Sequence, residues 1–260
     1  MTPVGYVHRD QQGFTLVEFL VAMAVLGLVL AAVFSIFKTG TTIGLTGENK
    51  AEAQQGARAA ALMEEDLRLA GYGFPPAPQT AFTNASPTLI TFWADVASPP
   101  ASTTLTATVN AGATVLNVVG NPGGISIGNT IYLINWNQWE TLTVTNIGAT
   151  TITVAKGPLA SYPGGTQVGR PRLITYSWNQ VTQTLSKDAG AGGGPQPLAT
   201  GIQAFQLTYF DTSDLQILPA NLLANLANIR RIAITLTAQS AAALNRGTFT
   251  INSTVRPRNL

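Results

Sequence analysis

The stretch QQGFTLVEFLVAMAVLGLVLAAVFSIFKTG, Gln11 to Gly40, decides how the rest of the chain is read. From Phe19 to Phe37 it contains no charged side chain. At about 1.5 Å of rise per residue, a helix of that run covers about 28 Å, close to the hydrocarbon thickness of a bilayer. A buried helix of a soluble protein keeps one polar face, whereas only Gly27 and Ser35 interrupt this run, so it reads as a span. A secretory signal peptide is the other reading, with candidate cuts near Ala31, Ala32 and Ser35. Its apolar centre is usually only about 7 to 15 residues long and does not open on a carboxylate.

Here a carboxylate, Glu18, does open the run. A charge at mid-bilayer costs on the order of 2.5 to 3.5 kcal/mol, so it tends to be kept where it finds a partner. No Lys, Arg or His occurs from Thr15 to Phe37, which leaves no intrahelical ion pair. A cut between Gly13 and Phe14 would create an α-amino group one helical turn before Glu18, a cation for the same chain or for a neighbouring copy. Alternatively, Glu18 sits at headgroup level with no partner.

The segment GFTLVEFLVAMAVLG, Gly13 to Gly27, resembles the processing site of type IV pilins and type II secretion pseudopilins. In that pattern a glycine precedes the cut, and an aromatic, a Thr-Leu-Val-Glu segment and an apolar helix follow it. The resemblance implies that a prepilin peptidase cuts after Gly13 and N-methylates Phe14. It also implies that Glu18 meets the Phe14 amine of an adjacent subunit as a filament assembles from the inner membrane. The leader, MTPVGYVHRDQQG, is less basic than such leaders usually are, because Asp10 balances Arg9. With Lys38 just beyond the run, charge says little about orientation, and a cytoplasmic N-terminus rests on the motif.

The chain has 260 residues, a formal net charge of +2, 10% charged residues and no cysteine. Its length allows the apolar helix and one or two small domains, and its charge is not that of a nucleic-acid-binding protein. Without cysteine there is neither a disulfide staple nor thiol chemistry, so the fold relies on a packed core. The one histidine, His8, lies in the leader, so a mature chain lacks the usual general base and most zinc ligand sets. An enzyme is disfavoured, and no cofactor or metal is expected.

Residues 38–49, KTGTTIGLTGEN, are poor helix material, consistent with a break or with a strained part of one long helix. From Glu48 to Ala70 the pattern is helical again, with Leu62, Met63 and Leu69 on one stripe, and GYGFPPAP stops it. Glu64, Glu65 and Asp66 read as a solvated face. The segment MEEDLRLAGYGF, Met63 to Phe74, resembles the helix end of PilW-like minor pilins.

Beyond Pro78 the period changes to two, in runs at 87–95, 130–136, 140–147, 150–156, 172–179, 182–188, 202–211, 229–239 and 248–259. These predict antiparallel sheet. Residues 98–169, bounded by SPP and PGG, read as an inserted β module and a place for partner contacts. The runs LITYSWNQVTQTLSKD and GPQPLATGIQAFQLTYFD, and the close STVRPRNL, again resemble PilW and the J-type pseudopilins.

The turn DTSD offers Asp211 and Asp214 as weak calcium candidates, although two carboxylates in a turn more often make a polar hairpin. DAGAGGGPQ lacks the Lys and Ser/Thr of a phosphate loop and reads as a connector. Of four tryptophans, Trp93, Trp136 and Trp178 read as core, and Trp139 as the exposed contact candidate. Arg230 and Arg231, adjacent on a strand, would point to opposite faces.

The resulting expectation is an α+β fold, a long N-terminal helix packed on a mainly antiparallel sheet. Residues 1–13 would be the leader, 14–72 the helix with its membrane part at about 19–37, 73–97 and 170–260 the β-domain, and 98–169 the inserted module. The function that the resemblance implies is that of a PilW-like minor pilin. It would sit in the bacterial inner membrane with its C-terminal domain periplasmic, and later in the pilus. Its partners would be the prepilin peptidase, other major and minor pilins, the inner-membrane assembly platform and the bilayer, with no nucleic acid. The alternatives are a J-type secretion pseudopilin and a membrane-anchored exported β-rich binding module.

Overall fold

The computed structural model describes residues 16–75, 80–96, 101–121, 123–136, 138–239 and 248–260, and their side chains except at positions 18, 22 and 36–53. The chain divides into two units, Met1–Glu48 and Asn49–Leu260. Helix α1, Leu16–Arg68, is helical through residues 38–49 despite three glycines there. Each glycine costs a helix about 1 kcal/mol relative to alanine, but no proline removes a backbone donor, so the hydrogen-bond ladder can continue. In the first unit the described apolar side chains of α1 are exposed, among them Leu16, Phe19, Leu28 and Phe34.

The second unit is α+β. In chain order its first strands are β1 Phe82–Ser86, β2 Leu89–Ala94, β3 Ser102–Thr104, β4 Val115–Asn117 and β5 Thr130–Asn135. Next come β6 Gln138–Ile147, β7 Thr151–Val154, β8 Gln167–Gly169, β9 Arg172–Asn179 and β10 Thr184–Asp188. The last are β11 Gln196–Ala199, β12 Ile202–Phe210, β13 Gln216–Ile217, β14 Arg231–Gln239 and β15 Thr248–Val255. They form three sheets ordered β1-β2-β9-β10-β11, β13-β12-β14-β15 and β3-β8-β5-β6-β7-β4, with antiparallel pairs throughout.

The first two sheets share one core with the end of α1. Met63 and Leu67 of the helix lie in one cluster with Phe92, Tyr176, Leu207 and Ile234, all essentially inaccessible to water. Fully burying side chains of this size stabilises by about 1.5 to 3 kcal/mol each. β14 shows the expected alternation, with every second residue buried from Ile232 to Ala238. Gly56 lets the helix lie close to this strand, since a Cβ there would stand 3.2 Å from Leu236 Cδ2. Gly71, at φ +84°, ends the helical turn in the left-handed region, and a Cβ there would meet the Asn259 carbonyl at 2.5 Å.

The third sheet, lying between β2 and β9 in the chain, has its own core of Leu116, Ile131, Leu133, Ile152, Tyr162 and Val168. Phe74, just beyond α1, bridges to it. Its ring stacks on Trp93 of β2 at 5.4 Å and meets Tyr132 of β5 at 6.0 Å. Six strands lie outside the alternating runs read from sequence, namely β1, β3, β4, β8, β11 and β13. Most are too short to show a period, and tertiary pairing defines them.

Candidate functional site

The N-terminal site begins outside the described residues. Gly13 and Phe14 lie there, and so does the side chain of Glu18. The backbone at Glu18 is helical, within α1. Among the described residues no helix is long and apolar enough to cross a membrane. Ile36 and Phe37, which complete the apolar run in the sequence, are among the residues whose side chains are not described.

Asp66 corrects the reading of 64–66 as a solvated face. It is 4% exposed. Tyr176 Oη donates to its Oδ2 at 2.6 Å, and Lys187 Nζ lies 2.5 Å from the same oxygen. Burial, and then the Asp66 charge, push the Tyr176 phenol well above the ordinary tyrosine range. Glu64 accepts from Ser253 Oγ and from the Arg68 guanidinium, leaving Glu65 as the exposed carboxylate. A charge inside a helix's acidic run gives no sequence signal of burial, because its partners lie on β9 and β10.

The carboxylates of Asp211 and Asp214 are each engaged by other groups of the protein. Asp211 Oδ1 accepts from the Ser213 and Leu215 amides at 2.8 and 3.0 Å, closing the turn before β13. Asp214 faces Arg231 Nε at 2.8 Å and Arg256 Nη2 at 2.8 Å. The hydrogen bond from Arg231, with the Arg256 charge beside it, lowers the Asp214 carboxyl below its ordinary range. The Arg231 guanidinium also lies 3.5 Å from the centroid of the Phe210 ring. Among the described residues no group of three or more His, Cys, Asp or Glu side chains could hold a metal.

The tryptophans differ from the sequence reading at two positions. Trp139 is half-buried beside Tyr132, with ring centroids 6.3 Å apart. Trp136 is 88% exposed and has a φ of +51°. Asn135 pairs with Gln138, so Trp136 occupies the two-residue tip of the β5–β6 hairpin. Trp178 is anchored, donating from Nε1 to the Ile202 carbonyl at 3.0 Å. Arg230 donates to the Ala227 and Ile229 carbonyls, both at 2.8 Å.

Comparison with known proteins bears chiefly on the N-terminus. The prokaryotic N-terminal methylation motif matches residues 8–34, a stretch that includes Gly13, Phe14 and Glu18. No curated protein matches the chain. Among solved structures the chain is similar to a type IV-like pilin from Thermus thermophilus. The two share 12% identity over 80% of this chain and 97% of that one, with a TM-score of 0.38, and so distant a likeness carries no argument. The motif covers residues 8–34 alone, and by it the N-terminus of this chain is similar to those that carry prokaryotic N-terminal methylation.

Proposed function

We propose that the chain is a PilW-like minor pilin of the type IV pilus, a structural and assembly subunit without catalysis of its own. The observation that carries this reading is the methylation motif at residues 8–34, continued by a helix from Leu16. Prepilin peptidase cuts after Gly13 and N-methylates Phe14. Residues 19–37 hold the subunit in the inner membrane until it joins other pilins at the assembly platform. Glu18, unpaired in the bilayer, then meets the Phe14 amine of a neighbour and sets axial register, because a carboxylate in a low-dielectric setting gains most from a nearby cation. The inserted segment 98–169 supports a minor rather than a major subunit, since an added module is hard to repeat at every position of a thin filament.

The test is the intact mass and N-terminal peptide of the protein from its native membrane, with and without the peptidase. A chain beginning at N-methylated Phe14 only when the peptidase is present is the expected result. A Met1 start, or a cut near Ala32, would overturn it.

A further inference from the structure

The free edges of the three sheets are not equally protected. An unpaired strand edge presents a row of amide and carbonyl groups to any other chain, and proteins normally blunt it with short strands, bulges, proline or charge. β1 carries a register shift between Phe82 and Asn84. β11 has four residues, Pro197 among them, and its pairing with β10 is irregular. β13 has two residues, and β3 and β4 have three each. Part of the outer side of β12 is covered where the Leu207 amide donates to the Pro87 carbonyl.

β15 uses none of these devices. It runs for eight residues, TFTINSTV, without proline, charge or bulge, and pairs with β14 at every position from Thr248 to Val255 without a shift. Among the described residues no strand lies beyond it. Its polar face is pinned toward β14, with Thr250 Oγ1 3.1 Å from Thr237 Oγ1 and Thr235 Oγ1 donating to Asn252 Oδ1. On its other face Phe249 is 48% exposed. The result is a regular, uncharged edge with an apolar side chain beside it.

We infer that β15 is a docking edge to which another polypeptide adds a strand. The occupant is an extended, uncharged segment with apolar side chains at alternate positions, one set of which packs beside Phe249 and Ile251. Main-chain hydrogen bonds supply affinity in such strand addition, and the alternate side chains supply selectivity. A second copy of β15 is the wrong occupant in a shared membrane. Helix and strand advance together, since Gly56 lies by Ile251, Glu64 by Ser253, and the Arg258 amide donates to the Arg68 carbonyl. Antiparallel self-pairing about a two-fold axis would therefore point the N-terminal ends of the two 54–68 segments in opposite directions. That exclusion rests on the anchored reading proposed above, whereas the openness of the edge does not.

The test uses the full chain in phosphatidylethanolamine and phosphatidylglycerol vesicles. The probe is a synthetic peptide, Thr-Val-Thr-Val-Asn-Val-Thr-Val-Thr, and amide hydrogen exchange is the readout. The expected result is exchange slowed about tenfold or more at the alternate amides of 248–255 that face away from β14, with β1 and β11 unchanged. The doubly substituted chain Thr250→Lys, Thr254→Lys should lose this protection, while unaltered β12 exchange shows that its sheet is still folded. No protection at β15, or equal protection at all edges, would overturn the proposal. Protection that grows with protein density without peptide would assign the edge to a second copy and overturn the occupant. Failure of the chain to float with the vesicles would sink the anchored reading alone, because the peptide still reports on β15.

Discussion

The carboxylate of Asp66, on α1, accepts the Tyr176 hydroxyl from β9 at 2.6 Å in a site closed to water. Lys187 of β10 completes the trio and places its ammonium 5.8 Å from the Tyr176 ring centroid. One acidic residue thus ties the end of the helix to two neighbouring strands. Removing one member of a buried pair leaves the other charge uncompensated, at a cost of about 3 to 5 kcal/mol. Asp66→Ala is expected to lose that much in denaturant unfolding of the full chain in detergent. Tyr176→Phe, which removes only a hydrogen bond to a charged acceptor, should lose about 1.5 to 3 kcal/mol.

Three phenols are expected to resist ionisation in the folded protein. Burial raises Tyr162, Tyr176 and Tyr209 well above the ordinary value. The folded state therefore holds these protons where an unfolded chain, with tyrosines near pKa 10, releases them. Their contribution to stability is whole below about pH 10 and declines as pH rises beyond it. A near-ultraviolet phenolate titration should show these three groups appearing together with the loss of sheet circular dichroism. Their early titration in a folded chain would contradict the buried assignments.

Asp214 predicts the opposite dependence at the acid end. Its folded-state carboxyl lies below the ordinary range, held there by Arg231 and Arg256. The linked stability is present above the ordinary carboxylate pKa of about 3.9 and disappears as pH falls through the lowered value. Because the carboxylate is solvent-exposed, added salt should shrink the shift. Carboxyl-carbon magnetic resonance should follow this titration, and Arg231→Gln should move it upward more than Arg256→Gln does.

Gly71→Ala tests how the C-terminal segment is held. A left-handed backbone and a Cβ 2.5 Å from the Asn259 carbonyl are both unfavourable for alanine. Strain of this kind costs on the order of 1 to 3 kcal/mol. Thermal unfolding should shift down, and exchange of the Arg258 amide should speed up as its bond to Arg68 loosens. Gly112→Ala, also at positive φ but in open space, should lack the second effect.

Glu18→Ala separates anchoring from assembly. The variant is expected to be cut and N-methylated normally and to remain in the membrane, because removing a charge eases insertion. Co-purification with sheared filaments should fall about tenfold or more, as expected for loss of an ion pair in a low-dielectric bundle. Wild-type levels in filaments would remove Glu18 from the assembly step.

Much of the fold was legible along the chain because its signals are local. The apolar run from Phe19, the stripe of Leu62, Met63 and Leu69, and the alternation of 202–211 and 229–239 each follow from neighbours in sequence. So did the methylation motif, whose meaning lies in the order of residues around Gly13 and Phe14. Trp136 and Trp139 were read the wrong way round, because a shift of a few positions at a hairpin tip exchanges an exposed ring for a packed one.

Residue order alone carried the apolar and amphipathic helical stretches, the antiparallel β-rich character and the N-terminal motif, since periodicity needs no distant partner, whereas the helix running unbroken through 38–49 came from the structure. Only the tertiary structure decided that Asp66 is buried against Tyr176 and Lys187, that Arg231 and Arg256 converge on Asp214, and that β15 is left as an open edge. Each of those facts depends on groups separated by tens of residues or more, and their meeting is fixed by how sheets and helix pack rather than by any local preference.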